Sequence, residues 1–199
     1  MLSLLSTLQQ LPDDELLPLA RDAAIGSLSG GVAHDAGNAL FGILGLLELA
    51  TADRPTDPER LELLRSSASE LDALLRPLLH LARGEPARPT ADLAAATRDA
   101  LTLYRRGDRK LLQVDGAIPE TPVRVACDPA LLLQAAVHLL LAAEPRGRLE
   151  VEVEAGRLRI APGGPGQTID TLAAGRIAAR AGGELARDDG ALVLLLPAA

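Results

Sequence analysis

Apolar side chains in the first part of the chain recur at steps of three and four residues, in two successive segments. This spacing places them on one side of an α-helix and is typical of a helical bundle or a coiled coil. The first stripe comprises Ile25, Leu28, Val32, Ala36, Ala39, Ile43, Leu46 and Ala50, and the second comprises Leu61, Leu64, Ala68, Leu71, Leu75, Leu78 and Ala82. The pattern therefore predicts two amphipathic helices, joined by a turn at residues 53–58.

The turn and the width of the stripes add two expectations. Asp57 and Pro58 suit the N-cap and the first position of the second helix, and Pro77 within that helix is expected to kink it. Two helices alone cannot bury two wide apolar stripes, whereas a four-helix bundle formed by two chains can. We therefore expect the hairpin to form a homodimer.

The pattern changes at residues 84–89, where a glycine and two prolines interrupt the helical periodicity. This break predicts a helical hairpin over residues 1–84 and a second domain over residues 90–199. In the second domain the pattern predicts helices at 91–105, 128–143 and 169–181, and strands at 111–114, 123–126, 149–154, 157–161, 184–187 and 191–196. The predicted fold class is α+β, with the hairpin followed by a small α/β sandwich.

Composition narrows the function classes. The chain has 199 residues, a net charge of −7 and only 1% aromatic residues, so it lacks both the basic surface and the stacking platforms of a nucleic-acid-binding protein. Its one cysteine excludes an intramolecular disulfide and a cysteine-cluster zinc site. No apolar stretch approaches the roughly 18 residues that span a bilayer. No basic residue precedes Arg21, so we expect no signal peptide, no membrane partner and a cytoplasmic location.

The chain has three histidines, of which His34 is the candidate for chemistry. It lies two residues after one stripe position, about 200° around the helix, and therefore faces away from the core. A solvated surface histidine without a role is the alternative. Asn38 lies one turn later on the same face, and Phe41 and Gly45 continue that face.

Glycines are unusually dense on this first helix. Gly30, Gly31, Gly37, Gly42 and Gly45 each cost about 1 kcal/mol relative to alanine in a helix interior, which suggests that another molecule approaches this face closely. Tight packing of the two helices is the alternative.

The remaining candidates are weighed singly. Phe41, the only phenylalanine, is expected to anchor a partner or else to pack at the edge of the bundle. His138 lies on an apolar helix and is expected to be a hydrogen-bonded core residue, and His80 is given no role.

Residues 28–40, LSGGVAHDAGNAL, closely resemble the H-box of two-component sensor histidine kinases. That motif reads His-Asp/Glu-x-x-Asn on the first helix of a dimerisation and phosphotransfer hairpin, and the resemblance covers about residues 26–84. It implies that His34 is the phosphoacceptor, that Asp35 assists proton handling, and that Asn38 is the polar neighbour that often positions water for dephosphorylation in this family. The glycine-rich face is then the expected docking surface for the partner, formed by Gly37, Phe41, Gly42 and Gly45.

The second half is similar to the ATPase domain of the same kinases, but without its working parts. The helix at residues 128–143 resembles the N-box helix, yet His138 and Ala142 stand where the family has asparagines for Mg²⁺ and nucleotide. Pro162 stands where the family has the aspartate that binds adenine. Only Gln167 and Thr168 separate this turn from the last helix, which leaves no room for an ATP lid. The resemblance therefore implies a degenerate domain that does not bind ATP in the kinase mode.

A phosphate cradle built from Gly163, Gly164 and Gly166 is a weak alternative reading of this turn. The combination of an H-box hairpin with a degenerate domain resembles the dimeric histidine phosphotransferases, of the ChpT and sporulation-phosphotransferase types. It implies a phosphorelay protein that carries phosphoryl groups between response-regulator receiver domains. It would have no cofactor of its own, because Mg²⁺ would be bound by the receiver. A pseudokinase adaptor and a receiver phosphatase using Asn38 are the alternatives, and an ATP-dependent kinase is the remaining one.

Overall fold

The computed structural model describes residues 4–49, 58–83, 88–106, 111–143, 145 and 147–199. The first part of the chain is helical, as the periodicity predicts: α1 spans Leu4–Gln10, α2 Asp13–Glu48 and α3 Pro58–Arg83. Helices α2 and α3 pack along each other as a hairpin. The connecting turn with Asp57, and the predicted domain boundary at residues 84–87, lie outside the described residues. No described helix is both long enough and apolar enough to cross a membrane.

The second part of the chain is a small α/β structure. Its elements in order are β1 (Ala91–Asp92), α4 (Leu93–Tyr104), β2 (Gln113–Asp115), β3 (Arg124–Val125), α5 (Pro129–Ala142), β4 (Arg148–Glu154), β5 (Arg157–Ala161), α6 (Ile169–Arg180), β6 (Glu184–Asp188) and β7 (Ala191–Leu195). The main sheet has the strand order β2-β4-β5-β7-β6, in which only the β2–β4 pair is parallel. Strands β1 and β3 form a separate antiparallel pair. The fold class is therefore α+β, as predicted.

Side-chain alternation explains which face of the sheet is covered. In β4 and β5 every second residue is buried, so one face contributes Leu149, Val151, Val153, Leu158 and Ile160 to the core. Helix α5 contributes more of this core than any other described element, because its apolar side chains extend all around the helix and are buried on nearly every side. Asp128 caps α5 as predicted, accepting hydrogen bonds from the backbone N–H groups of Ala130 and Leu131.

Several boundaries differ from the sequence-based expectation, most clearly at α4, β2 and β3. Helix α4 begins at Leu93 and not at residue 91, because Asp92 caps it by accepting from Ala94 N at 3.0 Å, while Ala91 pairs with Val125 in the β1–β3 ladder. Strand β2 begins at Gln113 rather than at residue 111, and β3 is limited to Arg124–Val125. Helix α3 continues through Pro77, whose side chain is buried, so the expected kink does not end the helix.

The core of the second half extends onto the hairpin. Helix α2 begins well before the predicted stripe, and its early residues Leu17, Ala20, Ala24 and Leu28 belong to the same buried cluster as the α5 side chains. Leu81 of α3 joins that cluster as well. The first half of α2 is therefore held by the second part of the chain.

The face of α3 that is buried within the chain is not the predicted stripe. The buried residues are Leu74, Pro77 and Leu81, whereas Leu61 and Leu75 of the predicted stripe are exposed. Helix α3 has apolar side chains on more than one side, and the spacing alone does not tell which side meets α2 and α5.

Gly183 lies in the turn between α6 and β6, and its close approach to β7 can be tested. A Cβ at this position would lie 2.0 Å from the Leu195 carbonyl oxygen, which is backbone and cannot move aside cheaply. We expect Gly183→Ala to lower the free energy of unfolding by about 2 kcal/mol or more, measured by urea denaturation. Gly175→Ala is the matched control, because a Cβ there meets Leu185 only at 3.9 Å and alanine favours the helix. Equal midpoints for the two variants would show that this close approach is wrong.

Candidate functional site

His34 lies on α2 with its ring exposed to solvent, as its position opposite the stripe predicts. The Nδ2 atom of Asn38, one turn later, is 3.3 Å from His34 Nε2. An amide nitrogen only donates, so Nε2 accepts and carries a lone pair, and the proton of the neutral ring is on Nδ1. The structure thus brings Asn38 to His34, and in this tautomer the free lone pair of the ring is on Nε2.

Asp35, the residue after His34, faces the other way. Its side chain is buried, with 5% of the residue exposed, and its Oδ2 lies 3.6 Å from the Nη1 atom of Arg106. Arg106 follows α4 and is itself held by donating from Nε to the Thr102 carbonyl at 2.9 Å. The ion pair therefore joins the hairpin to the second part of the chain, directly behind the histidine.

Arg106 is a residue that the sequence reasoning missed. It lies in no recognisable motif, and its partner is far away along the chain, so only the tertiary arrangement brings the two together. A buried carboxylate needs a counter-charge, and Arg106 supplies one here.

The predicted docking residues lie on the same helix beyond His34. Phe41 has 77% of its surface exposed, and Gly42 and Gly45 are exposed as well. A Cβ added to Gly37 or Gly45 would meet nothing within 4 Å, and one at Gly42 would meet only the Ser67 hydroxyl at 3.9 Å. Packing of α2 against α3 therefore does not require glycine at these three positions.

His138 is a hydrogen-bonded core residue, as predicted. It is fully buried on α5, and its Nδ1 lies 2.8 Å from Asp170 Oδ1 at the start of α6. Gln134 Nε2 lies 3.3 Å from His138 Nε2 and donates at 2.8 Å to the carbonyl of Leu17 in α2. Because the amide nitrogen donates to Nε2, the ring proton is on Nδ1 and points to Asp170. This network joins α2, α5 and α6 through His138.

Two amides of the glycine-rich turn after β5 are already bonded within the chain. Gly163 N donates to the Gly190 carbonyl at 2.8 Å, and Gly164 N donates to the Ala142 carbonyl at 2.9 Å. Arg187 donates to the carbonyl oxygens of Gly164 and Gly166. These bonds hold the turn against α5 and β6, which argues against the phosphate-cradle alternative.

Other chemistry is limited in the part of the chain that the structure describes. Cys127 is buried; burial, aided by the negative charge of Asp128, raises the pKa of the thiol to about 11, which keeps it protonated and unreactive near neutral pH. No group of three or more histidine, cysteine, aspartate or glutamate residues there could hold a metal ion.

Comparisons with known proteins give only distant likenesses. No protein-family model and no curated protein matches the sequence. Among solved structures, the chain is similar to the histidine kinase AdeS of Acinetobacter baumannii, with 16% identity, a TM-score of 0.40, and coverage of 82% of this chain and 98% of that one. It is also similar to the cytoplasmic segment of the histidine kinase QseC, with 17% identity, a TM-score of 0.41, and coverage of 74% and 99%. Both scores are low, so neither likeness bears on function.

The Asp35–Arg106 pair can be tested by a double-mutant cycle. We expect Arg106→Ala to lower the free energy of unfolding by about 1–3 kcal/mol, because it removes a counter-charge from a buried carboxylate. Adding Asp35→Asn should recover part of that loss, giving a coupling energy of about 0.5–3 kcal/mol in urea denaturation. Arg105→Ala, at the exposed neighbouring arginine, is the control and should have little effect. Strictly additive single effects would show that the two charges do not interact.

Proposed function

We propose that this protein is a histidine phosphotransferase of a two-component phosphorelay. It would move phosphoryl groups between receiver-domain aspartates through His34, with no use of ATP. The observation that carries the proposal is the exposed His34 ring, whose Nε2 accepts from Asn38, within a sequence that resembles the H-box. Asp35, Asn38 and the glycine-rich face then form the surroundings of the phosphoacceptor.

The transfer is a displacement at phosphorus. The Nε2 lone pair of His34 attacks the phosphorus of an aspartyl phosphate, the Nε2–P bond forms, and the acyl P–O bond breaks to release the aspartate as a carboxylate. The Nδ1 proton leaves the ring a cation until solvent takes that proton, which the exposed position of the ring allows. The reverse reaction delivers the phosphoryl group to a second receiver. Mg²⁺ on the receiver would balance the charge of the phosphoryl oxygens.

Two features of the second half support transfer without ATP. In α5, the helix that would carry nucleotide and Mg²⁺ ligands, the side chain of His138 is bonded to Gln134 of the same helix and to Asp170 of α6. The amides of Gly163 and Gly164 are already bonded to backbone carbonyls. In the proposal this half is a support for the hairpin and a docking surface.

Exposed leucines on the hairpin support a homodimer. A groove on α3 of about 500 Å³ is lined by Ala68, Leu71, Leu75 and Leu79 among other residues, and Leu44 and Leu47 on α2 are more than half exposed. The groove also contains the charged side chains of Asp72, Arg76 and Arg83, so its apolar residues form a stripe between polar ones. Contiguous exposed apolar residues with a polar border are typical of protein–protein interfaces. A second hairpin of the same kind would cover it in a four-helix bundle.

A non-catalytic adaptor is the second candidate function. The observation that favours it is the burial of Asp35 against Arg106, since this acid is then not free to serve the imidazole. A receiver phosphatase that uses Asn38 is a third candidate. Both differ from the relay in one respect, because neither leaves a phosphoryl group on His34.

Transfer of label separates these functions. We expect the full chain, mixed with receiver domains phosphorylated at aspartate, to acquire acid-labile label. His34→Ala should acquire none, because His34 is the proposed site of the P–N bond. His80→Ala, which removes a half-buried histidine of α3, is the control and should label like the wild type. Binding of receivers without label on the chain would support the adaptor. Loss of label from the receiver without its appearance on the chain, abolished by Asn38→Ala, would support the phosphatase.

Nucleotide binding gives an independent check. We expect calorimetric titration with Mg²⁺-ATP to show no binding to the full chain and γ-labelled ATP to leave no label on it. The reason is that His138 is held by two side chains within the core and leaves no ligand for the metal ion. Micromolar affinity for ATP would contradict this expectation and would favour the kinase alternative.

A further inference from the structure

A groove with arginine-rich walls lies between α3 and α4, close to the candidate site. It has a volume of about 600 Å³ and is lined by Glu70 of α3 and by Arg98, Leu101, Thr102, Arg105 and Arg106. Three arginines face one acid in this groove, although the whole chain carries a net charge of −7. The groove is therefore a local exception to the charge of the protein.

Two of these arginines have donors to offer. Arg98 is exposed and uses Nη1 to donate to the Pro119 carbonyl at 2.6 Å, which leaves most of its guanidinium group open. Arg105 is exposed too; its backbone N–H donates to the Leu101 carbonyl at 3.0 Å, but no residue in the described part of the chain forms a hydrogen bond or an ion pair with its guanidinium group. Arg106, in contrast, is occupied by Thr102 and Asp35.

The groove is connected to His34 through Arg106. Arg106 lines the groove and contacts Asp35, which is the residue after His34. The groove therefore lies beside the helical turn that carries His34, on the side of α2 that Asp35 faces, and a domain bound at His34 has to extend around the helix to contact the arginines. An arginine fork pairs with a carboxylate through two parallel hydrogen bonds, and clustered charge also speeds encounter with an acidic surface.

We propose that Arg98 and Arg105 form a docking site for an acidic loop of the protein that exchanges phosphoryl groups with His34. The identity of the partner rests on the proposed function. The preference of the groove for carboxylates is independent of that function. The arginines lie beside the reaction centre and not in it. They determine how tightly the partner binds, and His34 determines whether transfer occurs.

A binding experiment tests the groove without any transfer. Fluorescein-labelled deca-glutamate is titrated with the full chain at low ionic strength, and its anisotropy is followed. We expect Arg98→Glu and Arg105→Glu each to weaken binding by about tenfold, because each replaces an attractive charge with a repulsive one. Arg180→Glu, an exposed arginine at the end of α6, makes the same charge change elsewhere and should bind like the wild type. Circular dichroism of the three variants controls for folding.

The outcomes separate the groove from the proposed function. Equal affinity of all variants for the peptide, or its displacement by inorganic phosphate at similar concentrations, would overturn the groove as a docking site for acidic protein segments. Receiver domains phosphorylated at aspartate are then used as a second probe. If they label the wild type and Arg180→Glu faster than the two groove variants, both inferences stand. If no label reaches even the wild type while the peptide still distinguishes the variants, the groove stands and the phosphotransferase function fails.

Discussion

The position of His34 depends on a buried contact between the first half of α2 and the α5–α6 layer. Leucine side chains are buried there, and each burial stabilises the fold by roughly 1.5–3 kcal/mol. The buried amide of Gln134 donates to the Leu17 carbonyl, so this polar side chain keeps a hydrogen bond within the contact. Helix α2 has 36 residues and so extends about 54 Å. Its last buried residue is Asp35. The histidine therefore lies where the helix leaves the support of the second half of the chain, fixed on one side and open on the other.

The Asp35–Arg106 pair gives that support an electrostatic part. If His34 is phosphorylated as proposed, the phosphoryl group would bring negative charge next to a carboxylate, and a carboxylate without a counter-charge would oppose it. Arg106 offsets the charge of Asp35 and is itself anchored by Thr102. The second half of the chain thus acts on the surroundings of His34 through charge as well as through packing, and in the proposed function this role would require no nucleotide.

Local signals in the sequence were sufficient to predict most helices and strands, but not to predict which of them contact one another. Periodicity predicted the two long helices, and Asp128 with Pro129 marked the start of α5 correctly, because a cap acts within one turn. The predicted start of α4 was wrong because Ala91 pairs with Val125 in the β1–β3 ladder, a long-range contact that local spacing does not reveal, and Asp92 caps the helix instead. Of the site, the Asn38–His34 contact follows from helical spacing, whereas Arg106 has no local signal at all.

The glycines of α2 lower the stability of that helix without a compensating contact inside the described part of the chain. Each reduces helix stability by about 1 kcal/mol, yet at Gly37 and Gly45 nothing in the described chain lies close enough to exclude a methyl group. A cost without an intramolecular return points to a neighbour outside the chain. Phe41, 77% exposed between these glycines, gives the same surface an apolar anchor. The small residues would let a partner approach the helix backbone, and the phenylalanine would hold it at the distance from which the exposed His34 ring can be reached.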